Sequence, residues 1–223
     1  MDLKAIIFDL DNTLIDFLTF KKETAKVAAT AMVREGLPLT EIQTYGKIFS
    51  VYDEKGIDYQ KTFRDVIEPF GFDVNKAERI QQAAIVTYLK RKFEVLKPYP
   101  MVYLTLEKLR KRYKLAIVTV APRNKAWQRL VFTNLQNEFD IVISKDDVEE
   151  KKESGFDIAA QRLGFAAEEC MYVGDNAERD ILQAKEIGMK TCWAKYGSMR
   201  KTSETKADFE IDRFEDLLKI IKG

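Results

Sequence analysis

The feature that most constrains this chain is the alternation that runs from residue 98 onward. Short apolar runs at 115–120, 141–144, 171–173 and 191–194 are each separated from the next by polar residues or by apolar residues at helical spacing. A short apolar run bounded by polar residues reads as a buried strand; apolar residues three and four apart read as one face of a helix. Residues 3–8 make another such run, and 209–211 a last short one. Helices are predicted at 102–110, 125–135, 155–163, 180–187 and 214–221. Repeated strand–helix units join parallel strands and leave helices on both faces of the sheet. The expected fold class is α/β, a doubly wound parallel sheet.

Between the first strand and Pro98-Tyr99-Pro100 the pattern changes. Apolar residues keep helical spacing throughout, punctuated by Gly36-Leu37-Pro38, Gly56 and Gly71. Ala25, Ala28, Ala29, Met32 and Val33 form one stripe, and Ile80, Ala83, Ala84, Val86, Tyr88 and Leu89 another. About four helices fit this spacing of breaks. The chain is therefore predicted to divide into a core, 1–15 with 98–223, and an inserted all-α domain, 16–97. Phe17, Phe20, Phe49 and Tyr52 of the insertion are expected to be exposed, and Trp127 and Trp193 of the core to be buried.

Composition removes several chemistries. The chain has no histidine, which excludes a Ser-His-Asp triad, histidine-ligated zinc and phosphohistidine intermediates. Acid–base work then falls to carboxylates, Lys, Tyr or Cys. Lys and Arg number 37 against 36 Asp and Glu, a balance with no electrostatic pull toward nucleic acid or an anionic membrane. The basic stretch at 108–114 reads as a solvated helix face. Cys170 and Cys192 lie in apolar runs and are expected to be structural thiols of a reducing compartment. With no signal-peptide pattern and no apolar run of spanning length, a cytoplasmic protein is expected.

In a doubly wound sheet the site lies at the carboxyl ends of the strands, and the polar residues collect there. The first strand ends in Asp9-Leu10-Asp11-Asn12-Thr13. Two carboxylates closing an apolar strand are costly unless compensated, and a hard cation such as Mg²⁺ supplies compensation through oxygen ligands. A second acidic end is Gly174-Asp175-Asn176. Asp180, a turn later, reads either as a helix N-cap or as a support for the metal. Thr119 brings a hydroxyl to the same zone. Lys151 and Lys152 precede the helix that starts near Gly155. Arg123 is either a surface residue or a substrate contact.

These residues carry a resemblance. Phe8-Asp9-Leu10-Asp11-Asn12-Thr13-Leu14 resembles the first motif of the haloacid dehalogenase-like hydrolases. Thr119 is similar to the second, and Val173-Gly174-Asp175 with Asp180, Ala184 and Gly188-Met189 to the fourth. Order and spacing agree from residue 3 to the end, and 16–97 stands where the family inserts a helical cap into its Rossmann-like core. The third motif departs from the pattern. The family has Lys followed by Pro, whereas Glu150-Lys151-Lys152-Glu153-Ser154-Gly155-Phe156 lacks the proline and is one residue short. Spacing from Ser144 favours Lys151, with Lys152 next. Val120 also replaces the common Asn of the second motif.

The resemblance implies a Mg²⁺-dependent phosphatase acting on a small phosphorylated metabolite through an aspartyl-phosphate. Asp9 is then the nucleophile and Asp11 the general acid and base. Thr119, Val120 and Lys151 meet the phosphoryl group, and Mg²⁺ is held by Asp9, Asp11 and Asp175. A β-phosphoglucomutase-like phosphotransferase shares every one of these motifs. A dehalogenase has no use for an acidic Asp11, and a phosphonatase needs a cap lysine, for which Lys21, Lys22 and Lys26 are available. The altered third motif favours one further alternative, a catalytically weak binding or regulatory protein of the same fold.

Overall fold

A computed structural model describes residues 2–198 and 204–221. The chain forms two compact units, Met1–Asp16 with Lys97–Gly223, and Phe17–Leu96. The first holds six strands: β1 (Ala5–Phe8), β2 (Lys114–Val118), β3 (Ile141–Ile143), β4 (Cys170–Gly174), β5 (Lys190–Ala194) and β6 (Phe209–Ile211). They make one parallel sheet in the order β3-β2-β1-β4-β5-β6. β1 is central, and all four of its residues are buried. Its Ile6, Ile7 and Phe8 suit a strand covered on both faces, and burying each is worth roughly 1.5–3 kcal/mol.

The inserted unit consists of α1 (Phe17–Arg34), α2 (Glu41–Lys55), α3 (Thr62–Ile67) and α4 (Val74–Val95). α2 begins in a capping box between Thr40 and Gln43, and Asp73 caps α4 through the Lys76 amide. Their apolar stripes meet in a core of Ala25, Ala28, Met32, Ile48, Ile80 and Ala84. Two expectations are corrected here. Phe17, Phe20 and Tyr52 are buried rather than exposed, while Val86 and Leu89 at the far end of their stripe are exposed. The aromatic residues instead surround the buried Lys21. Its ammonium donates to the Ile57 carbonyl at 2.6 Å and the Tyr88 hydroxyl at 3.3 Å, and lies 4.7 Å from the Tyr52 ring centre.

The helices of the sheet unit are α5 (Val102–Leu109), α6 (Arg123–Phe132), α7 (Lys145–Lys151), α8 (Gly155–Leu163), α9 (Leu182–Glu186) and α10 (Leu217–Ile220). α7 was not foreseen in its charged sequence. Asp147 creates it by accepting from both the Ser144 amide, at 3.0 Å, and the Ser144 hydroxyl, at 2.6 Å, which fixes the first turn. Trp193 is buried, but Trp127 on α6 is 42% exposed. Cys170 and Cys192 are buried free thiols. Among the described residues, no helix is long and apolar enough to cross a membrane.

Strand order reverses between β1 and β4: β2 and β3 continue to one side, β5 and β6 to the other. A crevice opens at such a switch point, outside the carboxyl ends of the strands.

Candidate active site

Asp9 follows β1 directly and Asp175 follows β4. Phe8 and Val173 are register partners, and the Asp9 amide donates to the Val173 carbonyl at 2.9 Å. The two carboxylates thus stand on adjacent strands at the switch point. Side chains alternate along a strand, so Asp9 falls on the face of Ala5 and Ile7, the one packed against α8. Thr119 follows β2, its amide bound to the Ile143 carbonyl at 2.9 Å.

The chain between Asp9 and Asp16 is held as a tight double turn. Asn12 has φ 61°, a left-handed conformation that asparagine tolerates. Its amide donates to the Ile15 carbonyl at 2.8 Å, and the Leu14 amide to the Leu10 carbonyl at 3.0 Å. The Thr13 hydroxyl donates to Asp9 Oδ2 at 3.4 Å. From the loop after β5, the Tyr196 hydroxyl donates to the Thr13 carbonyl at 2.7 Å. Gly197 lies so close that a Cβ there would fall inside the van der Waals shell of the Asn12 carbonyl oxygen. Trp193 Nε1 donates to the Asp175 carbonyl at 2.9 Å.

Negative charge is concentrated here. Burial pushes the Asp9 carboxyl well above the usual range, and Asp175, Asp180 and Asp11 push it further. Asp175 is raised to about 7, first by burial and then by Asp180, with Arg179 acting in the opposite direction. Such a cluster calls for cations. Among the described residues no group of three or more His, Cys, Asp or Glu side chains is placed to hold a metal alone. Two carboxylates with main-chain and water oxygens are the donor set that Mg²⁺ accepts, and the excess of negative charge fits it.

Asp9 and Thr119 open onto a cavity of 600 Å³ between α7, α8 and α9. Val120 and Tyr172 line it as well. Tyr172 fits because Gly174 has no side chain: a Cβ there would lie 2.7 Å from its ring. Lys151 and Lys152 are both exposed at the end of α7 and are not among the lining residues. The cationic residues of the lining are Lys145 and Arg179. Asp180 is buried and receives a two-pronged ion pair from Arg179. The helix cap is Asn176, which accepts from the Arg179 amide at 3.1 Å. Arg123 pairs with Glu150 at 3.1 Å on the surface.

Arg129 and Arg179 both escaped the sequence analysis. Arg129, in the middle of α6, is buried and its Nη1 pairs with Asp11 Oδ2. Its position between Ala126 and Thr133, on the buried stripe of a predicted helix, is the signal that could have identified it.

Known proteins resemble this chain over nearly its whole length. A family model described as haloacid dehalogenase-like hydrolase matches residues 6–194. A glyceraldehyde 3-phosphate phosphatase from Methanopyrus kandleri is 34% identical, over 99% of this chain and 97% of its own. A phosphoglycolate phosphatase from Aquifex aeolicus is 29% identical over 98% of this chain and 97% of its own. The crystal structure of a HAD phosphatase from Thermococcus onnurineus superposes with a TM-score of 0.71 at 28% identity, covering 99% of each chain. The chain belongs to the haloacid dehalogenase-like hydrolases and stands among the phosphatases of that family.

Proposed function

We propose that the protein is a Mg²⁺-dependent phosphatase that cleaves the monoester of a small phosphorylated metabolite through an aspartyl-phosphate on Asp9. The observation that carries this reading is the placement of Asp9 and Asp175 side by side at the switch point, with Asp9 and Thr119 opening onto one cavity. Asp9 attacks phosphorus and forms an acyl phosphate while the alkoxide departs. Asp11, once it has parted from Arg129 and taken up a proton from water, gives that proton to the alkoxide and later takes one from the water that hydrolyses the acyl phosphate. Thr119 and the main chain after Asp9 donate to the phosphoryl oxygens. Asp9, Asp175 and the Asp11 carbonyl would hold Mg²⁺, which offsets the repulsion between the attacking carboxylate and a dianion.

The relatives' names direct the choice of substrate toward short phosphorylated metabolites such as glyceraldehyde 3-phosphate and phosphoglycolate. The deciding experiment measures phosphate release from both compounds and from p-nitrophenyl phosphate, with Mg²⁺ and with EDTA, and traps the acyl phosphate with hydroxylamine. Mg²⁺-dependent release with a trappable intermediate is expected. Absence of release from every ester would overturn the assignment, and transfer to a sugar phosphate instead of water would convert it to a mutase.

A further inference from the structure

A phosphoryl dianion that approaches Asp9 meets the charge of Asp175 and Asp180 as well. A protein cation on the phosphoryl side is needed beside any metal. The sequence offers Lys151 or Lys152 for that position, but both are exposed and neither lines the cavity. Lys152 itself takes φ 56° as the C-cap of α7, at the place where the family's proline is missing.

Two cationic side chains do line the cavity shared with Asp9 and Thr119. Lys145 is spent on a solvated pair one turn along its helix, 3.4 Å from Glu149, with both side chains more than half exposed. Arg179 is placed differently. It stands in a π-helical turn, Ala177–Ile181, whose first turn is fixed by the Asn176 cap. Its Nε and Nη2 grip the two oxygens of Asp180, whose side chain is only 8% exposed. That fork uses two of the five guanidinium N–H donors and holds the plane of the group, leaving the others for an anion. The guanidinium also lies within the electrostatic reach of Asp9 and Asp175.

We propose that Arg179 is the residue that binds the phosphoryl oxygens in this protein, taking the place that the displaced third-motif lysine leaves open. The inference rests on the phosphatase reading for its substrate, but it concerns an anion site that can be tested without turnover. In this assignment Asp180 is a positioning residue: buried, it holds the guanidinium in the lining of the cavity that Asp9 shares.

The test is calorimetric titration of the Mg²⁺-loaded protein with inorganic phosphate, for the wild type and for Arg179→Met, Arg179→Gln and Arg179→Lys, with Mg²⁺ affinity measured alongside. Arg179→Met is expected to weaken phosphate at least about tenfold, the scale of one lost charge-assisted contact, with Mg²⁺ affinity within about threefold of wild type. Arg179→Lys should recover part of the loss. Arg179→Gln, which keeps a hydrogen bond for Asp180, gives the same readout if the methionine variant does not fold. Unchanged phosphate affinity in the Arg179 variants overturns the proposal. So does a loss that merely follows weaker Mg²⁺ binding, since Arg179 would then only brace Asp180. Loss of phosphate binding in Lys151→Ala or Lys152→Ala, with Arg179→Met unaffected, returns the role to the third motif. Arg179-dependent phosphate binding without ester hydrolysis would sink the phosphatase reading alone; hydrolysis indifferent to Arg179 would sink this one alone.

Discussion

The Arg129 guanidinium, buried in the middle of α6, is paired with the Asp11 carboxylate, 118 residues earlier in the chain. The Arg129 side chain is 5% exposed and that of Asp11 18%. Removing one member of a buried pair leaves the other charge in a poor solvent, at a cost of about 3–5 kcal/mol. Arg129→Met is therefore expected to lower unfolding free energy by about that amount, measured by urea denaturation in EDTA. A double-mutant cycle with Asp11→Asn should return a coupling above about 1 kcal/mol. Additive effects would mean that the pair contributes nothing specific.

Asp9→Asn should abolish turnover, by roughly a thousandfold or more as for other nucleophile deletions, and leave the fold intact. Because burial and neighbouring carboxylates disfavour the charged form of Asp9, the neutral amide should raise the melting temperature of the metal-free protein. Circular dichroism melts in EDTA check this. A lower melting temperature would show that the Asp9 charge is compensated by something other than a metal.

EDTA should silence the enzyme and Mg²⁺ restore it, while Ca²⁺ binds but supports little turnover. The larger ion accepts more ligands and can engage both oxygens of Asp9, so that neither is left to attack. Mg²⁺ at a hundred times its dissociation constant should add about 2.7 kcal/mol to stability, read as a shift of the urea midpoint. Full activity in chelator would remove the metal from the mechanism.

Two glycines predict opposite outcomes for the same substitution. Gly197→Ala forces a Cβ onto the Asn12 carbonyl and should cost about 1–3 kcal/mol, the usual penalty of overpacking. It should also depress turnover, because Asn12 sits between Asp11 and Thr13. Gly46 lies inside α2 with open space around it. Gly46→Ala should raise stability by about 0.8–1.0 kcal/mol through helix propensity. Thermal melts of the two variants test both at once.

The strands were legible because the β1 and β4 runs are apolar on both faces, a pattern that only a covered parallel sheet satisfies. Asp9, Asp175 and Thr119 were legible for a related reason: each follows a strand directly, so the position of the strand fixes the position of the residue. α7 was hidden because its stability comes from Ser144 and Asp147 bonding each other, not from an apolar stripe. The aromatic residues of the insertion were misjudged because the group they surround, Lys21, is one that sequence rules place in solvent.

The sequence by itself determined the architecture and singled out Asp9 as the expected nucleophile, since periodicity and strand ends are local properties of the chain. Only the tertiary structure decided which cations pair with the carboxylates. Arg129 and Arg179 reach the carboxylate cluster from α6 and from the turn after β4, whereas Lys151 and Lys152, adjacent to a recognisable motif, end in solvent. The reason is reach: a long side chain samples many directions, and the one it takes depends on the buried partner it finds, here Asp11 and Asp180, which local sequence does not reveal.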